Sequence, residues 1–192
     1  MTSVAFSKDD KYIISGSEDN SIKIWERETG SEIQTLKGHS SYVTSVAFSK
    51  DDKYIISGSW DKSIKIWERE TGSEIQTLKG HSNKVTSVAF SKNDKYIISG
   101  SLDNSIKIWE RETGSKIQTL KGHSDWVTSV AFSKDDKFII SGSDDKSIKI
   151  WEPDTGSEIQ TLKGHIDTVT IVAFSKDDKY IISGSFDNSI KI

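Results

Sequence analysis

Residues 44–85 read TSVAFSKDDKYIISGSWDKSIKIWERETGSEIQTLKGHSNKV, and this stretch recurs with few changes along the whole chain. The triplet Val-Ala-Phe marks the copies, which are spaced 42 residues apart and begin at Val4, Val46, Val88, Val130 and Val172. We divide the 192 residues into an initiating residue, four full repeats at 2–43, 44–85, 86–127 and 128–169, and a partial repeat at 170–192. Self-similarity at one fixed period is typical of repeat architectures. We therefore interpret the whole chain as a single array.

Each repeat contains four short runs of strand-forming residues separated by turn residues. In the first repeat the predicted strands are residues 4–7, 12–17, 22–26 and 32–37. Pairs such as Asp9-Asp10 and Thr29-Gly30 lie between them, and Asp, Asn and Gly tolerate the backbone conformations that reverse a chain. Apolar residues are consecutive within the runs, which is typical of sheets covered on both faces. We predict an all-β fold of four-stranded antiparallel sheets stacked around an axis, with four full sheets and a three-stranded fifth.

Two further motifs accompany the repeats. Gly-His occurs at Gly38-His39, Gly80-His81, Gly122-His123 and Gly164-His165, and a Trp stands in the third predicted strand at Trp25, Trp67, Trp109 and Trp151. In these motifs and in repeat length the chain resembles the WD-repeat β-propeller family, whose units carry a Gly-His pair and a Trp-Asp pair. Here Glu follows each of these Trp residues instead of Asp, so that a carboxylate is retained. The resemblance covers essentially the whole chain and implies a propeller of four-stranded blades.

The repeats also contain His, Ser and Asp, which could in principle form a hydrolytic triad. The family resemblance implies another role, a buried hydrogen-bonded network of His, Ser, Asp and Trp that fastens each blade. Independently of the family, an active site is needed once, whereas this set recurs at fixed spacing. We therefore predict no catalytic residue. The expected structural network comprises His39, Ser57, Asp61 and Trp67, then His81, Ser99, Asp103 and Trp109, then His123, Ser141, Asp145 and Trp151.

Composition excludes several classes of protein. The chain has 26 basic and 29 acidic residues, and this balance lacks the positive surface that binds nucleic acid. No apolar run reaches the roughly 18 residues that a membrane-spanning helix needs, and cysteine is absent, so we expect a cytoplasmic protein with no membrane partner. The acidic turns, such as Asp9-Asp10, have no further ligands nearby in sequence and are expected to be solvated. We expect no metal and no cofactor, and the motifs of phosphate-binding loops and metalloproteases do not occur.

Differences among the repeats mark candidate functional positions. Eleven of the 42 columns vary, but only three of them hold three or more residue types. The first column precedes the turn Asp after the second strand, and the other two lie just before the first strand. They contain Glu18, Trp60, Leu102, Asp144 and Phe186, then Ser41, Asn83, Asp125 and Asp167, then Tyr42, Lys84, Trp126 and Thr168. Antiparallel strand order brings both loops to one rim, and exposed aromatic residues are typical of interfaces.

These patterns predict a non-enzymatic recognition scaffold that binds a protein or peptide through the variable rim. Neutral drift in exposed loops is the competing explanation of the variation. A second hypothesis is a structural product of repeat amplification, natural or engineered, that has no specific ligand. The nearly identical framework with a diversified rim is similar to the sensor arrays of NLR-like ATPases and of heterokaryon-incompatibility recognition proteins. In that case the chain is a fragment of a larger protein.

The ends of the array do not coincide with the ends of a repeat. The fifth repeat stops at Ile192, before the position of its Trp and its outer strand, and the N-terminus begins in an innermost strand. Open ends expose apolar sheet faces and unpaired strand edges. We therefore expect a homodimer, in which two chains close a ring of about eight to ten blades. The alternative is that the chain belongs to a longer protein.

Overall fold

The computed structural model describes all 192 residues and consists of strands and turns. Nineteen strands form five antiparallel sheets, each made of consecutive strands. The four-stranded sheets contain β1 (Ser3–Phe6), β2 (Tyr12–Gly16), β3 (Ser21–Glu26) and β4 (Glu32–Lys37); β5 (Val43–Phe48), β6 (Tyr54–Ser59), β7 (Ser63–Glu68) and β8 (Glu74–Lys79); β9 (Val85–Phe90), β10 (Tyr96–Ser101), β11 (Ser105–Glu110) and β12 (Lys116–Lys121); and β13 (Val127–Phe132), β14 (Ile139–Ser143), β15 (Ile148–Trp151) and β16 (Glu158–Leu162). The fifth sheet contains β17 (Val169–Phe174), β18 (Ile181–Ser185) and β19 (Ile190–Lys191).

This arrangement confirms the predicted all-β fold with four full sheets and a three-stranded fifth. No helix has the length and hydrophobicity that crossing a lipid bilayer requires.

The strand ends differ from the prediction by a residue, and turn chemistry explains the difference. The first strand ends at Phe6 because the Ser7 hydroxyl accepts the Tyr12 N–H at 2.9 Å and donates to the Asp9 carboxylate at 2.7 Å. These bonds hold Ser7 in the turn. At the tip of the same turn Asp10 has a φ of 58°, the left-handed conformation that Asp, Asn and Gly adopt more readily than other residues. The equivalent Asp has positive φ in every repeat.

The five sheets pack face to face in chain order, with β1 against β5, β5 against β9, β9 against β13, and β13 against β17. We call each interface between neighbouring sheets a seam. The core of the first seam consists of Ile14, Ile22, Ile24 and Leu36 from one sheet and Val43, Val46, Ile55 and Trp67 from the next. The second and third seams repeat this set of eight residues. Ile55 lies in the first seam and its neighbour Ile56 in the second, which explains why apolar residues are consecutive along a strand.

Glycine permits the close approach of the sheets. A Cβ atom on Gly58 in β6 would lie only 2.7 Å from Val85 Cγ1 of the next sheet, which is too short for a van der Waals contact. Hydrogen bonds accompany this packing. Across the same seam the Thr44 hydroxyl donates to the Val85 carbonyl at 2.7 Å, and the Val88 N–H donates to Ser45 Oγ at 3.1 Å.

The acidic turns also link neighbouring sheets. The Lys8 N–H donates to the Asp52 carboxylate at 2.7 Å, and the Lys92 N–H donates to the Asp136 carboxylate at the same distance. We expected these carboxylates only to face solvent, but in the second to fifth sheets the second acidic residue of the turn also accepts a backbone N–H of the preceding sheet. It joins its own sheet to the preceding one.

The two end faces of the array expose residues that are buried inside it. Val4 in the first sheet is 58% exposed, whereas its equivalent Val46 is 5% exposed. In the fifth sheet Ile190 is 75% exposed, whereas its equivalent Ile64 is fully buried. The fourth seam buries a core of four residues in place of eight, because the fifth sheet does not extend to the Trp position.

Candidate functional site

A chain of hydrogen bonds runs through the second sheet and joins four of the predicted network residues. The Trp67 Nε1–H donates to Ser57 Oγ at 2.8 Å, and Ser57 Oγ lies 2.7 Å from His39 Nε2. On the other side of the imidazole ring, His39 Nδ1 lies 2.7 Å from Asp61 Oδ2. Because a carboxylate can only accept, the His39 Nδ1–H donates to Asp61. In the neutral ring Nε2 then accepts from the Ser57 hydroxyl, which itself accepts from the Trp67 N–H.

The third and fourth sheets contain the same arrangement with distances of 2.7–2.9 Å. Its members there are His81, Ser99, Asp103 and Trp109, and His123, Ser141, Asp145 and Trp151. Each of the three Ser hydroxyls is fully buried and already bonded to both Trp and His, so this geometry offers no exposed nucleophile.

The two end sheets have partial versions that the sequence-based assignment left out because it required all four residues. In the fifth sheet, His165 Nδ1 lies 2.7 Å from Asp187 Oδ2 and Nε2 lies 2.9 Å from Ser183 Oγ. In the first sheet, the Trp25 Nε1–H donates to Ser15 Oγ at 2.9 Å without a His. His165 follows the other three histidines at the same repeat spacing, and this regularity could have identified it as a member of the network.

Burial and hydrogen bonding set the charge states in the third sheet. Burial opposes ionisation of Asp103, but hydrogen bonds from His81 and Ser105 outweigh it and hold the pKa of this carboxyl below its usual range. Burial lowers the pKa of His81, and Asp103 offsets this only in part. The pair therefore consists of a neutral imidazole and a carboxylate at neutral pH.

The backbone brings the three variable columns together within each sheet. The Trp60 N–H donates to the Tyr42 carbonyl at 2.9 Å, and the Ser59 hydroxyl donates to the Ser41 carbonyl at 3.0 Å. The same backbone bond joins Leu102 to Lys84, Asp144 to Trp126, and Phe186 to Thr168. In the other sheets the backbone carbonyls of Asn83, Asp125 and Asp167 each accept the same hydrogen bond from the serine equivalent to Ser59. We call these residues of the second to fifth sheets the variable strip; Glu18 is the exposed first-sheet member of the first column.

Side chains of the variable strip also contact one another, both within a sheet and across a seam. The Tyr42 and Trp60 rings stack with their centroids 4.8 Å apart and their planes at 27°. Lys84 of the third sheet places its Nζ 3.6 Å from the centre of the Trp60 ring, a cation–π contact.

The other end of the variable strip is acidic and carries exposed aromatic rings. Burial and the neighbouring Asp125 and Asp167 carboxylates raise the pKa of Asp144, although a hydrogen bond with Thr168 opposes the shift. Trp126 is 47% exposed and Phe186 is 68% exposed. The two ends of the strip therefore present different chemistry to solvent.

Two isoleucines, one at the end of the fourth repeat and one in the fifth, were not singled out from the sequence. Ile166 and Ile171 replace serines of the other repeats, and both side chains are exposed. A Cβ on Gly184 would lie 3.1 Å from the Ile171 Cγ2 atom. Ile171 thus covers Gly184 in the way that Val85 of the next sheet covers Gly58 inside the array. The end face of the fifth sheet therefore differs from the faces within the array. The Ser-to-Ile change was visible as a two-way difference among the repeats.

Comparison with known proteins identifies the repeat. The family model described as "WD domain, G-beta repeat" matches residues 1–26, 30–68, 72–110, 114–152 and 156–192. GID complex subunit 7 of Schizosaccharomyces pombe is 56% identical over 32 residues, which is 17% of this chain and 6% of that protein. Dynein assembly factor with WD repeat domains 1 is 44% identical in Danio rerio and 42% identical in Xenopus laevis, each over 43 residues, which is 22% of this chain and 10% of that protein. The chain thus spans at most a tenth of the length of these relatives.

Replacing Ser57 by Ala tests the network. The change leaves the Trp67 N–H and the His39 Nε2 without a partner in a buried site, so we expect the free energy of unfolding to fall by about 2–4 kcal/mol. Ser15→Ala is the matched control, because Ser15 bonds only Trp25, which water can reach. Urea unfolding of both variants measures the difference. Equal losses for the two variants would contradict a role for the His39 bond.

The pH dependence of stability follows from the third sheet. The unfolded chain protonates His81 near its usual pKa of 6.5, whereas the folded chain resists protonation, so the free energy of unfolding should fall as pH drops below 6.5. Ionised Asp103 adds a second loss that begins below its usual pKa of 3.8. In urea unfolding between pH 8 and 5, His81→Gln should flatten the slope relative to the unsubstituted chain. An unchanged slope would show that His81 does not carry this dependence.

Proposed function

This chain belongs to the WD-repeat family, and we propose that it is a non-enzymatic scaffold that binds a protein or peptide through its variable strip. WD-repeat proteins are generally interaction scaffolds. Among the similar proteins, one is by name a subunit of a complex and another an assembly factor, which is consistent with a role in protein interaction.

The observation that carries this proposal is the contrast between a constant framework and a strip that differs in every sheet. The paired positions hold Tyr42 and Trp60, Lys84 and Leu102, Trp126 and Asp144, and Thr168 and Phe186, so no two sheets present the same pair. One backbone hydrogen bond holds each pair regardless of its side chains. The side chains can therefore be exchanged with little effect on the fold, and this arrangement suits a recognition surface.

The chemistry of the strip favours a partner of matching charge. Near the fourth and fifth sheets the exposed rings of Trp126 and Phe186 flank the carboxylates of Asp144 and Asp167. An apolar side chain next to a basic residue complements this end, because opposite charges steer association and aromatic anchors provide affinity. We propose that the partner presents such a segment.

The test compares capture of binding partners by three forms of the chain. Trp60→Ala combined with Trp126→Ala should reduce capture of the specific partner at least tenfold, since truncating an aromatic anchor costs about 2 kcal/mol or more. Ile75→Ala on the outer strand β8 is the control, because this exposed residue lies outside the strip. Quantitative affinity capture with chemical cross-linking measures both. Equal recovery with both variants would refute the strip, and recovery of no specific protein would favour the hypothesis of an array without a ligand.

We further propose that two copies associate head to tail through their end faces. The first sheet presents Val4 in the place of the buried Val46, and the fifth sheet presents Ile190 in the place of the buried Ile64. These faces are the two opposite halves of one seam, so a second copy can bury both. Two chains joined in this way would close a ring of about eight to ten blades. Such a seam would have to accommodate Ile171, Met1 in the place of Val43, and a fifth sheet without the outer strand that supplies Leu36 in the first sheet.

Light scattering after size-exclusion chromatography tests this association. A mass near twice 21.4 kDa is expected, and Val4→Asp should return the chain to a monomer by placing a charge in the seam. Ile171→Ser should strengthen the dimer, because serine accepts the N–H of the facing valine in the internal seams. Ile75→Asp, on an outer strand, is the control for an added charge. Identical masses for Val4→Asp and the unsubstituted chain would contradict the proposal.

A further inference from the structure

A lysine of the third strand pairs with a glutamate of the outer strand in the first, second and fourth sheets, and this lysine is buried in the second and fourth. In the second sheet, Lys65 Nζ lies 2.7 Å from Glu74 Oε2 and 2.8 Å from Thr77 Oγ1, and the Thr77 hydroxyl donates to the other carboxylate oxygen. In the fourth sheet, Lys149 Nζ lies 2.8 Å from Glu158 Oε2. One ammonium and one hydroxyl thus hold each carboxylate.

The third sheet contains the ammonium and the hydroxyl but not the carboxylate. Lys116 stands at the position of Glu74, and neither Lys107 nor Lys116 forms an ion pair. Lys107 is only 6% exposed, and its Nζ contacts Thr119 Oγ1 at 3.2 Å. Burial lowers the pKa of Lys107, an effect that Asp103 opposes and that Lys116 and Lys121 reinforce. A buried ammonium without an anionic partner is costly.

The backbone of the preceding connection shows where the carboxylate lies in the other sheets. A Cβ on Gly38 would be 3.0 Å from Glu74 Oε2, and a Cβ on Gly122 would be 2.9 Å from Glu158 Oε2. Beside the equivalent Gly80, the near atoms belong to the Trp109 ring and no carboxylate oxygen is among them. The Glu74 side chain is 34% exposed, so this location can be reached from solvent.

We propose that the third sheet binds a carboxylate group from outside the chain, held by Lys107 Nζ and Thr119 Oγ1 beside Gly80, with the ammonium of Lys116 at the entrance. The second and fourth sheets show the same donors holding a carboxylate supplied by the chain itself. Charge-assisted hydrogen bonds of this kind are stronger than those between neutral groups. The ligand class is a monocarboxylate, either free or on the side chain of an acidic peptide. The site uses no residue of the variable strip and does not depend on the proposed function.

Propionate is a suitable probe, since it has the shape of a glutamate side chain. NMR spectra of the full chain with isotope-labelled lysines are recorded during titration with sodium propionate, against sodium chloride at equal ionic strength. We expect a saturable shift of the Lys107 Cε and Nζ resonances that exceeds the shifts of exposed lysines. Lys116→Glu should abolish this shift by restoring the internal pair. Glu158→Lys should create a second responsive lysine, Lys149, in the fourth sheet.

Both variants place in one sheet a residue that another sheet already contains, so the fold should be retained. A Lys107 response no larger than that of exposed lysines, or one that persists in Lys116→Glu, would overturn the proposal. Titration with acetyl-Gly-Glu-Gly-amide, and with its Gln analogue as control, separates the two sources of the carboxylate. Tighter binding of the Glu peptide than of propionate identifies an acidic segment, whereas equal binding identifies a free monocarboxylate.

Discussion

The close approach of each sheet to its neighbour is the constraint on which the rest of the structure depends. Valine side chains of one sheet lie against a glycine of the preceding sheet, as Val85 lies against Gly58, and a Cβ at that glycine would not fit. This contact favours apolar residues on both faces of strands that lie between two neighbouring sheets, as Ile55 and Ile56 show on opposite faces of β6. Each fully buried side chain of this size contributes about 1.5–3 kcal/mol. The stability of the array therefore resides mainly in its seams, as expected for repeat proteins.

Polar side chains lie around the apolar core of the seams, where they either form hydrogen bonds or reach solvent. The Ser57, His39 and Asp61 side chains lie where the connection from one sheet enters the next, and their hydrogen bonds satisfy groups that would otherwise be buried without partners. The variable residues lie in loops, where a single backbone hydrogen bond holds each pair. Their side chains face solvent there, so that differences in size and charge do not disturb the packing. The fold thereby separates residues that must stay constant from residues that are free to differ.

Much of this architecture could be predicted from the sequence because repetition constrains it strongly. The period, the strand count and the coverage of both sheet faces followed from the repeated unit, and antiparallel order indicated that Tyr42 and Trp60 lie at one end of their sheet. The strand end at Phe6 could not be predicted, since it depends on the turn bonds of Ser7. Nor could the consequence of Lys116, because the pairing of residues nine positions apart becomes visible only when the two strands are placed side by side. The significance of Ile171 could not be predicted either, because it lies in the contact of this side chain with Gly184.

Native-state hydrogen exchange in dilute solution, where light scattering shows a single chain, tests most directly whether the seams stabilise the array. Equivalent amides, such as those of Ile56, Ile98 and Ile182, can be compared because their own sheets provide similar hydrogen bonds. We predict that Ile56 and Ile98, which have neighbouring sheets on both sides, exchange much more slowly than Ile182 on the end face. Equal protection at all three positions would mean that each sheet is stable by itself, and would contradict a stabilising role of the seams.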